Sequence, residues 1–290
     1  MPAISADGVA DYLRRLGIAD PGQPSVPALF ALHRAHVERI PYEVLDVQLG
    51  HWTSVQPHSA VRRVLTGRGG YCVQLNTAFS VLLAALGYRV SRHAAGVQAS
   101  AAMPPVSADI APHMALSVEL DGERWLVDVG LGDGLYEPLP ARPGSYHQGP
   151  FSYRLTRSAT EAGGLRLDHD PRGSVTGIDV RLSAARQREF ARWHHYLVTS
   201  PESRLVRALT VMRRSSDSVD ALTGCLLRHV DATGRTVREL DTRADWQDAL
   251  ADVFGLTFAG TDPTEVEVLW VKVRTAHEQW LARKAASRAS

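Results

Sequence analysis

The chain has 290 residues, of which 44% are hydrophobic and 22% are charged, and its formal net charge is +1. This composition is typical of folded globular proteins and unlike that of disordered chains. Because acidic and basic residues are mixed along the chain, we expect neither nucleic acid nor a membrane as a partner. The length favours two or three subdomains packed together.

Two features bear on the cellular compartment. Residues 1–8 lack a basic start followed by an apolar run, and the longest apolar stretches, such as 78–86, fall short of the roughly 18 residues of a membrane span. Cys72 and Cys225 are the two cysteines of the chain, too few for a disulfide framework. We therefore predict a cytoplasmic protein whose thiols stay reduced.

The first 90 residues have the apolar spacing of helices. Pro41 and Gly87 mark two of the helix ends, since proline removes a backbone donor and glycine favours the C-terminal cap. The predicted helices are Val9–Leu16, Pro27–Ile40, Ser59–Leu65 and Asn76–Leu86.

From Tyr88 onward the pattern changes to short alternating segments, which are typical of strands. Asp121-Gly122 is a strong signal for a two-residue hairpin turn. Short strands at this regular spacing indicate an antiparallel barrel or sandwich. The predicted strands are Arg89–Val97, Met114–Leu120, Glu123–Val129, Phe151–Thr156 and Gly164–Asp168.

After about residue 180 helices and strands alternate, and we find no internal repeat and no long linker. The predicted helices are Ala184–Tyr196 and Ala244–Val253. The predicted strands are Cys225–Val230, Thr236–Leu240 and Thr257–Phe258.

Cys72 is the first candidate for chemistry. It follows the glycine-rich turn 68–71 and begins an apolar segment, and a helix N-terminus favours a thiolate because its N–H groups are unpaired. Arg68 lies close in sequence and adds positive charge. The alternative is that Cys72 is a small buried apolar residue.

His113 and Asp128 flank the predicted hairpin. If Asp121-Gly122 forms the whole turn, Ala115 lies opposite Asp128, and His113 becomes a diagonal neighbour of Asp128 on one face. The carboxylate then orients the imidazole and raises its basicity. The alternative is a surface histidine and an unrelated aspartate, and a register slip of one residue would separate the pair.

The motifs resemble those of the arylamine N-acetyltransferase family. The segment 68–76, Arg-Gly-Gly-Tyr-Cys-Val-Gln-Leu-Asn, is similar to the family's active-site signature. Four further segments match the family in order: 40–46, 113–116, 128–132 and 199–203. The resemblance implies an α+β fold with an N-terminal helical bundle (1–90), a central antiparallel β-barrel (91–192) and a C-terminal α/β lid (193–290).

The resemblance also implies a ping-pong mechanism with acetyl-CoA as the acyl donor and no metal. Cys72 takes the acetyl group as a thioester, His113 exchanges protons, and Asp128 orients His113. An arylamine or hydrazine nitrogen then accepts the acetyl group. By the same resemblance Gly130, Leu131 and Gly132 contact CoA. Tyr42, Val97 and Leu131 line the substrate pocket, to which the segment 103–112 also contributes.

Three residues depart from the family pattern, which has glutamate at the position of Gln74, asparagine at Val44 and phenylalanine at Leu131. Gln74 gives up a charge, Val44 has no polar side-chain atom, and Leu131 removes an aromatic wall beside the nucleophile. Since the triad is intact, the departures put the substrate rather than the chemistry in question.

Other functions remain open at this point. Relatives in the family act as amide synthases of secondary metabolism, which move a longer acyl chain from a carrier protein to an aryl amine, in some cases closing a macrolactam. A transglutaminase-like or papain-like hydrolase is a second alternative, although Val73 stands where such enzymes commonly carry an aromatic residue. A binding protein that retains the scaffold without turnover is a third.

Two further features are expected to be structural. Cys225 has apolar neighbours and no histidine partner, which predicts an inert buried thiol. His194 and His195 are adjacent, and because neighbouring residues on a helix point in different directions, we expect solvated or capping side chains rather than a metal site.

Overall fold

The computed structural model describes residues 4–109 and 112–289 and has an α+β fold, as the sequence predicts. The helices are α1 (Ala6–Leu16), α2 (Val26–Arg39), α3 (Leu45–Leu49), α4 (Pro57–Leu65), α5 (Cys72–Ala85), α6 (Gln187–Thr199), α7 (Arg204–Arg207), α8 (Arg243–Phe254) and α9 (Pro263–Ala289). None of the helices in these ranges is both long and apolar enough to cross a membrane.

The strands form two antiparallel sheets. Residues 42–180 contribute β1 (Tyr42–Glu43), β2 (Arg89–Gln98), β3 (Pro112–Leu120), β4 (Glu123–Val127), β5 (Leu139–Pro140), β6 (Gly144–Gln148), β7 (Phe151–Arg157), β8 (Leu165–Asp168) and β9 (Gly177–Val180). The remaining strands are β10 (Thr210–Arg214), β11 (Val219–Thr223), β12 (Leu226–Asp231) and β13 (Gly234–Glu239).

Eight strands in the order β5-β4-β3-β2-β9-β8-β7-β6 form a nearly closed antiparallel barrel. Its inner side is apolar, with Leu126, Leu155, Leu167 and Ile178 buried in one cluster. The other sheet has the order β1-β10-β11-β12-β13. Since β1 lies in the first 90 residues, one strand of the predicted helical domain belongs to the sheet of the C-terminal region, and the predicted domain limits stay predictions.

Helix α5 lies at the centre of the molecule. Its residues from Val73 to Leu83 are all buried, which is the expected environment of a helix that is apolar on every side. It packs against α4 and against strands β2 and β3 of the barrel. Cys72 is therefore the first residue of a helix that packs on β3, the barrel strand before the Asp121-Gly122 turn.

Among the predictions that the structure contradicts, one helix start, one strand end and one whole strand have a local reason. Helix α6 begins at Gln187 rather than Ala184, because the chain before it still pairs with β2 through a bond from Ala185 N to Arg92 O. Residues 257–258 form no strand, since Phe258 instead stacks on Trp246 with ring centroids 5.8 Å apart.

Strand β4 ends at Val127 rather than Val129. The next two residues turn to other partners: Val129 N donates to the side chain of Asn76, and Gly130 N donates to the carboxylate of Asp128. Asp128 is therefore the first residue beyond the strand, and not a member of it.

The sequence also missed strands β10 and β11. Strand β10 ends in Arg213 and Arg214, which are poor indicators of a buried strand. Arg214 is nevertheless 1% exposed, because its guanidinium donates to Gln148 O and lies over the ring of Phe151.

Candidate active site

Cys72 is the first residue of α5 and is partly exposed. The preceding turn fits only glycine at two positions: a Cβ on Gly69 would lie 1.9 Å from Pro41 O, and one on Gly70 would lie 2.7 Å from Gln74 Oε1. The turn thus places Cys72 at a helix N-terminus, where unpaired N–H groups favour negative charge.

The hairpin has the register that the sequence predicts. Leu116 pairs with Val127, and the two turn residues Asp121 and Gly122 have φ of 54° and 78°, the left-handed conformation that a two-residue turn requires. His113 and Asp128 therefore meet on one face, and His113 Nε2 donates to Asp128 Oδ2 at 2.6 Å. Nδ1 is the ring nitrogen that remains for Cys72.

The electrostatics of His113 favour the imidazolium. Burial acts to lower the pKa of the ring, but the charges and hydrogen bonds of Asp128 and Cys72 outweigh it and raise the pKa to about 10. Burial likewise opposes the charge of Asp128, yet His113, Asn76 and the N–H of Gly130 together lower the pKa of the carboxyl. The pair is thus arranged to hold a positive charge next to the thiol.

Asn76 supports Asp128 and was not singled out in the sequence as a site residue. Its Nδ2 donates to Asp128 Oδ1 at 2.8 Å and to Met114 O at 2.6 Å, and its Oδ1 accepts from Val129 N. Asn76 is 0% exposed and lies one helical turn after Cys72. That spacing of four residues puts Asn76 on the same helix face as Cys72, and it is the signal that could have identified Asn76.

Arg68 does not reach the thiol. Its guanidinium binds Asp46 Oδ1 at 2.9 Å and Glu43 Oε1 at 3.1 Å, and Arg63 binds the same two carboxylates. The positive charge of Arg68 is therefore neutralised within a four-residue ion network beneath the turn. The network holds the turn in place rather than acting on Cys72.

The glycine loop 130–132 packs against the protein itself. A Cβ on Gly130 would lie 2.8 Å from Cys72 Cα, and one on Gly132 would lie 2.7 Å from Tyr42 Cβ. Leu131 is 7% exposed and belongs to the barrel cluster. The glycines thus allow close contact between this loop and the nucleophile's turn, and their contact with CoA stays a prediction.

The predicted pocket residues have different surroundings. Tyr42 lies between the two loops, since it forms a β-bridge with Gly70 and touches the position of Gly132. Val97 lies on β2, opposite Ile178 of β9. Of the predicted acceptor segment 103–112, Val106 O lies against Gly96, while residues 110 and 111 are outside the described residues.

The surroundings of Gln74 and Val44 show how the protein accommodates two of the three departures from the family pattern. Gln74 Oε1 accepts from Tyr71 N at 3.3 Å, and its Nε2 donates to Ser54 O at 3.3 Å. Val44 is the N-cap residue of α3 and makes no side-chain cap. The carboxylate of Glu43 replaces that cap, accepting from Leu45 N at 2.7 Å.

Cys225, His194 and His195 are not members of the triad. Cys225 is buried as predicted, and burial raises the pKa of its thiol to about 11. His194 is neither solvated nor capping, because it binds Tyr71 and Thr53, whereas His195 is exposed. Across the described ranges no group of three or more His, Cys, Asp or Glu side chains forms a metal-binding arrangement.

Comparison with known proteins agrees with this geometry. A family model described as N-acetyltransferase matches residues 25–262. The arylamine N-acetyltransferase of Mycolicibacterium smegmatis is 32% identical over 260 residues, covering 84% of this chain and 90% of that protein. The proansamycin X synthase of Amycolatopsis mediterranei is 32% identical over 191 residues, covering 64% of this chain and 70% of that protein.

Solved structures give the same result. The arylamine N-acetyltransferase of Mycobacterium marinum in complex with CoA superposes with a TM-score of 0.81 at 27% identity, covering 91% of this chain and 99% of that one. The enzyme of Mycobacterium tuberculosis superposes with a TM-score of 0.78 at 28% identity, covering 90% and 99%. The protein therefore belongs to the arylamine N-acetyltransferase family and is an acyltransferase.

Proposed function

We propose that the protein transfers an acetyl group from acetyl-CoA to the nitrogen of an arylamine or hydrazine through a thioester on Cys72. The observation that carries the proposal is the position of His113, bonded to Asp128 through Nε2 and presenting Nδ1 to Cys72. The relatives named arylamine N-acetyltransferase and the neighbour solved with CoA support the donor and the acceptor.

The first half-reaction follows from the charges of the site. The Cys72 thiolate attacks the carbonyl carbon of acetyl-CoA, and the bond from that carbon to the CoA sulfur breaks. The His113 imidazolium gives its proton to the departing sulfur, so that CoA leaves as the thiol and a neutral imidazole remains. Asp128 stabilises the imidazolium before the transfer and keeps the ring oriented after it.

The second half-reaction reverses the proton transfer. The amine nitrogen attacks the thioester, His113 accepts the proton that this nitrogen loses, and the bond from carbon to Cys72 sulfur breaks. The amide leaves, and the imidazolium and thiolate are restored. The glycine loop packs directly beside Cys72, since a Cβ on Gly130 would lie 2.8 Å from Cys72 Cα.

A second candidate function is amide synthesis with a longer acyl chain supplied by a carrier protein. The relative named proansamycin X synthase favours it. Leu131 favours it as well, because an aliphatic side chain packed into the barrel cluster stands where the family pattern has phenylalanine. The fold and the triad chemistry are the same in both functions, and the acyl donor distinguishes them.

Intact-protein mass spectrometry after mixing with acetyl-CoA alone tests the proposal. We expect a gain of one acetyl group in the wild type and in Cys225→Ala, and none in Cys72→Ala. A long-chain acyl thioester on a pantetheine carrier mimic is the second donor. Labelling by the long-chain donor alone supports amide synthesis, and absence of labelling by either donor contradicts the covalent mechanism.

A further inference from the structure

Three consecutive carbonyl groups in the loop between α3 and α4 accept hydrogen bonds from two other helices. Thr53 O accepts from His194 of α6, Ser54 O from Gln74 of α5, and Val55 O from Gln187 of α6. The loop 53–55 thereby connects α6, near residue 190 of the chain, with the helix that begins at the nucleophile.

The hydrogen bonds determine the tautomer of His194. A carbonyl oxygen only accepts, so His194 Nε2, at 2.8 Å from Thr53 O, must carry the proton. In the neutral ring Nδ1 is then an acceptor, and the Tyr71 hydroxyl donates to it at 2.7 Å. Burial favours this neutral form, because it lowers the pKa of His194.

Tyr71 links the hydrogen-bonded relay Thr53–His194–Tyr71 to the reacting sulfur. It is the N-cap residue of α5, directly before Cys72, and is 1% exposed. Its backbone N–H is held by Gln74 and its hydroxyl by His194, so both ends of the residue are fixed. Burial and, after it, the charge of Cys72 raise the pKa of the Tyr71 hydroxyl, as expected when the two groups are neighbours.

We propose that His194 is a positioning residue for acyl transfer, which holds Tyr71 and through it the orientation of Cys72 towards His113. The inference rests on the proposed function of Cys72. Without an acceptor at position 194 the buried Tyr71 hydroxyl has no partner and must rotate or draw in water. Either change moves the N-cap of α5, and a small displacement of a nucleophile slows the chemical step more than it weakens binding.

The test compares the rate of Cys72 acetylation in wild type, His194→Ala and His194→Asn, with the single-turnover rate followed by mass spectrometry over a range of acetyl-CoA concentrations. We expect His194→Ala to lower the rate at saturation about tenfold while the half-saturating concentration stays unchanged. His194→Asn should recover most of the rate, because the Asn Oδ1 replaces Nδ1 as the acceptor. His195→Ala is the matched control and should react as the wild type does.

Tyr71→Phe provides a second route to the same conclusion. Since phenylalanine needs no acceptor, adding His194→Ala to Tyr71→Phe should change the rate less than twofold, and this non-additivity is expected only if the two residues act together. Thermal unfolding of each variant separates positioning from stability.

The proposal is overturned if His194→Ala lowers the unfolding temperature yet acetylates Cys72 at the wild-type rate, or if the two substitutions are additive. An equal loss in His195→Ala also contradicts it. If the wild type itself is not acetylated at Cys72, the proposed function fails first, and the two failures are thus distinguishable.

Discussion

His113, the second residue of β3, and Asp128, the first residue beyond β4, are joined by a hydrogen bond of 2.6 Å, and the two-residue turn at 121–122 determines this pairing. The turn sets the register, the register puts both side chains on one face, and α5 brings Cys72 to the same place. A single local conformation therefore assembles two of the three candidate catalytic groups.

Asp128→Asn should leave the fold intact and lower the acyl-transfer rate roughly a thousandfold, because an amide does not stabilise the imidazolium or select the same ring tautomer. Steady-state rates with acetyl-CoA and an arylamine measure this. The control is Asp121→Asn in the turn, where φ is 54° and asparagine is well tolerated. Near-normal activity in Asp128→Asn would remove Asp128 from the mechanism.

His113 should titrate near pH 10, well above the value of an ordinary histidine, because Asp128 and Cys72 outweigh the effect of burial. NMR of the imidazole protons measures the pKa, and it should fall in Cys72→Ala and in Asp128→Asn. A wild-type pKa near that of free histidine would contradict the proposed imidazolium and thiolate.

The same shift makes stability depend on pH. The folded state binds the His113 proton more tightly than the unfolded chain, so this contribution is complete below about pH 6.5 and is lost as the pH rises to about 10. Urea unfolding across that window should show a steeper loss of stability in the wild type than in Asp128→Asn. Parallel curves of stability against pH for the two proteins would show that the His113–Asp128 pair contributes nothing to the pH dependence.

Gly130→Ala should destabilise the protein by about 2 kcal/mol and slow acylation, because its Cβ would lie 2.5 Å from Asn76 Nδ2 and 2.8 Å from Cys72 Cα. Denaturant unfolding and the rate of Cys72 acetylation measure the two effects. Gly144→Ala is the control, since its Cβ meets the end of the Tyr146 side chain, which can move. Equal behaviour of the two variants would refute the packing argument.

Glu43→Gln should lower the free energy of unfolding by about 3 kcal/mol, since it leaves the guanidinium groups of Arg63 and Arg68 beside one carboxylate instead of two. The control is Glu119→Gln, which also lies between two arginines, Arg89 and Arg124, but at the surface. We expect no measurable change there, because exposed pairs are well screened. If Glu43→Gln hardly changed the free energy of unfolding, water must enter the ion network of Glu43, Arg63 and Arg68.

Local patterns predicted the hairpin register and the helices α1, α2, α4 and α5. The end of α5 is an example: glycine at position 87, with φ of 92°, ends the helix where the sequence indicates. These features depend on residues that are neighbours in the sequence. Local patterns missed the short helix α3, and α5 begins at Cys72 rather than at the predicted Asn76. The same reasoning failed at 184–186 and 257–258, where contacts with β2 and with Trp246 outweigh local preference.

The candidate site shows the same division between residues that the sequence predicts and contacts that only the fold supplies. The sequence by itself determined the candidate nucleophile, the imidazole and the carboxylate, because their motifs and their order along the chain are specific. It did not indicate that Arg68 is neutralised by Glu43 and Asp46, or that Asn76 holds Asp128. Those side chains are ordinary polar residues until the fold supplies their partners.

The relay from Thr53 through His194 to Tyr71 was decided by the tertiary structure alone. Its members are separated by 141 and 123 positions in the chain, and neither a motif nor a period links them. The sequence determines which groups are available for hydrogen bonding. The fold places the half-buried His194 against the buried Tyr71 hydroxyl, and the two pair because an unpaired polar group in the interior is costly.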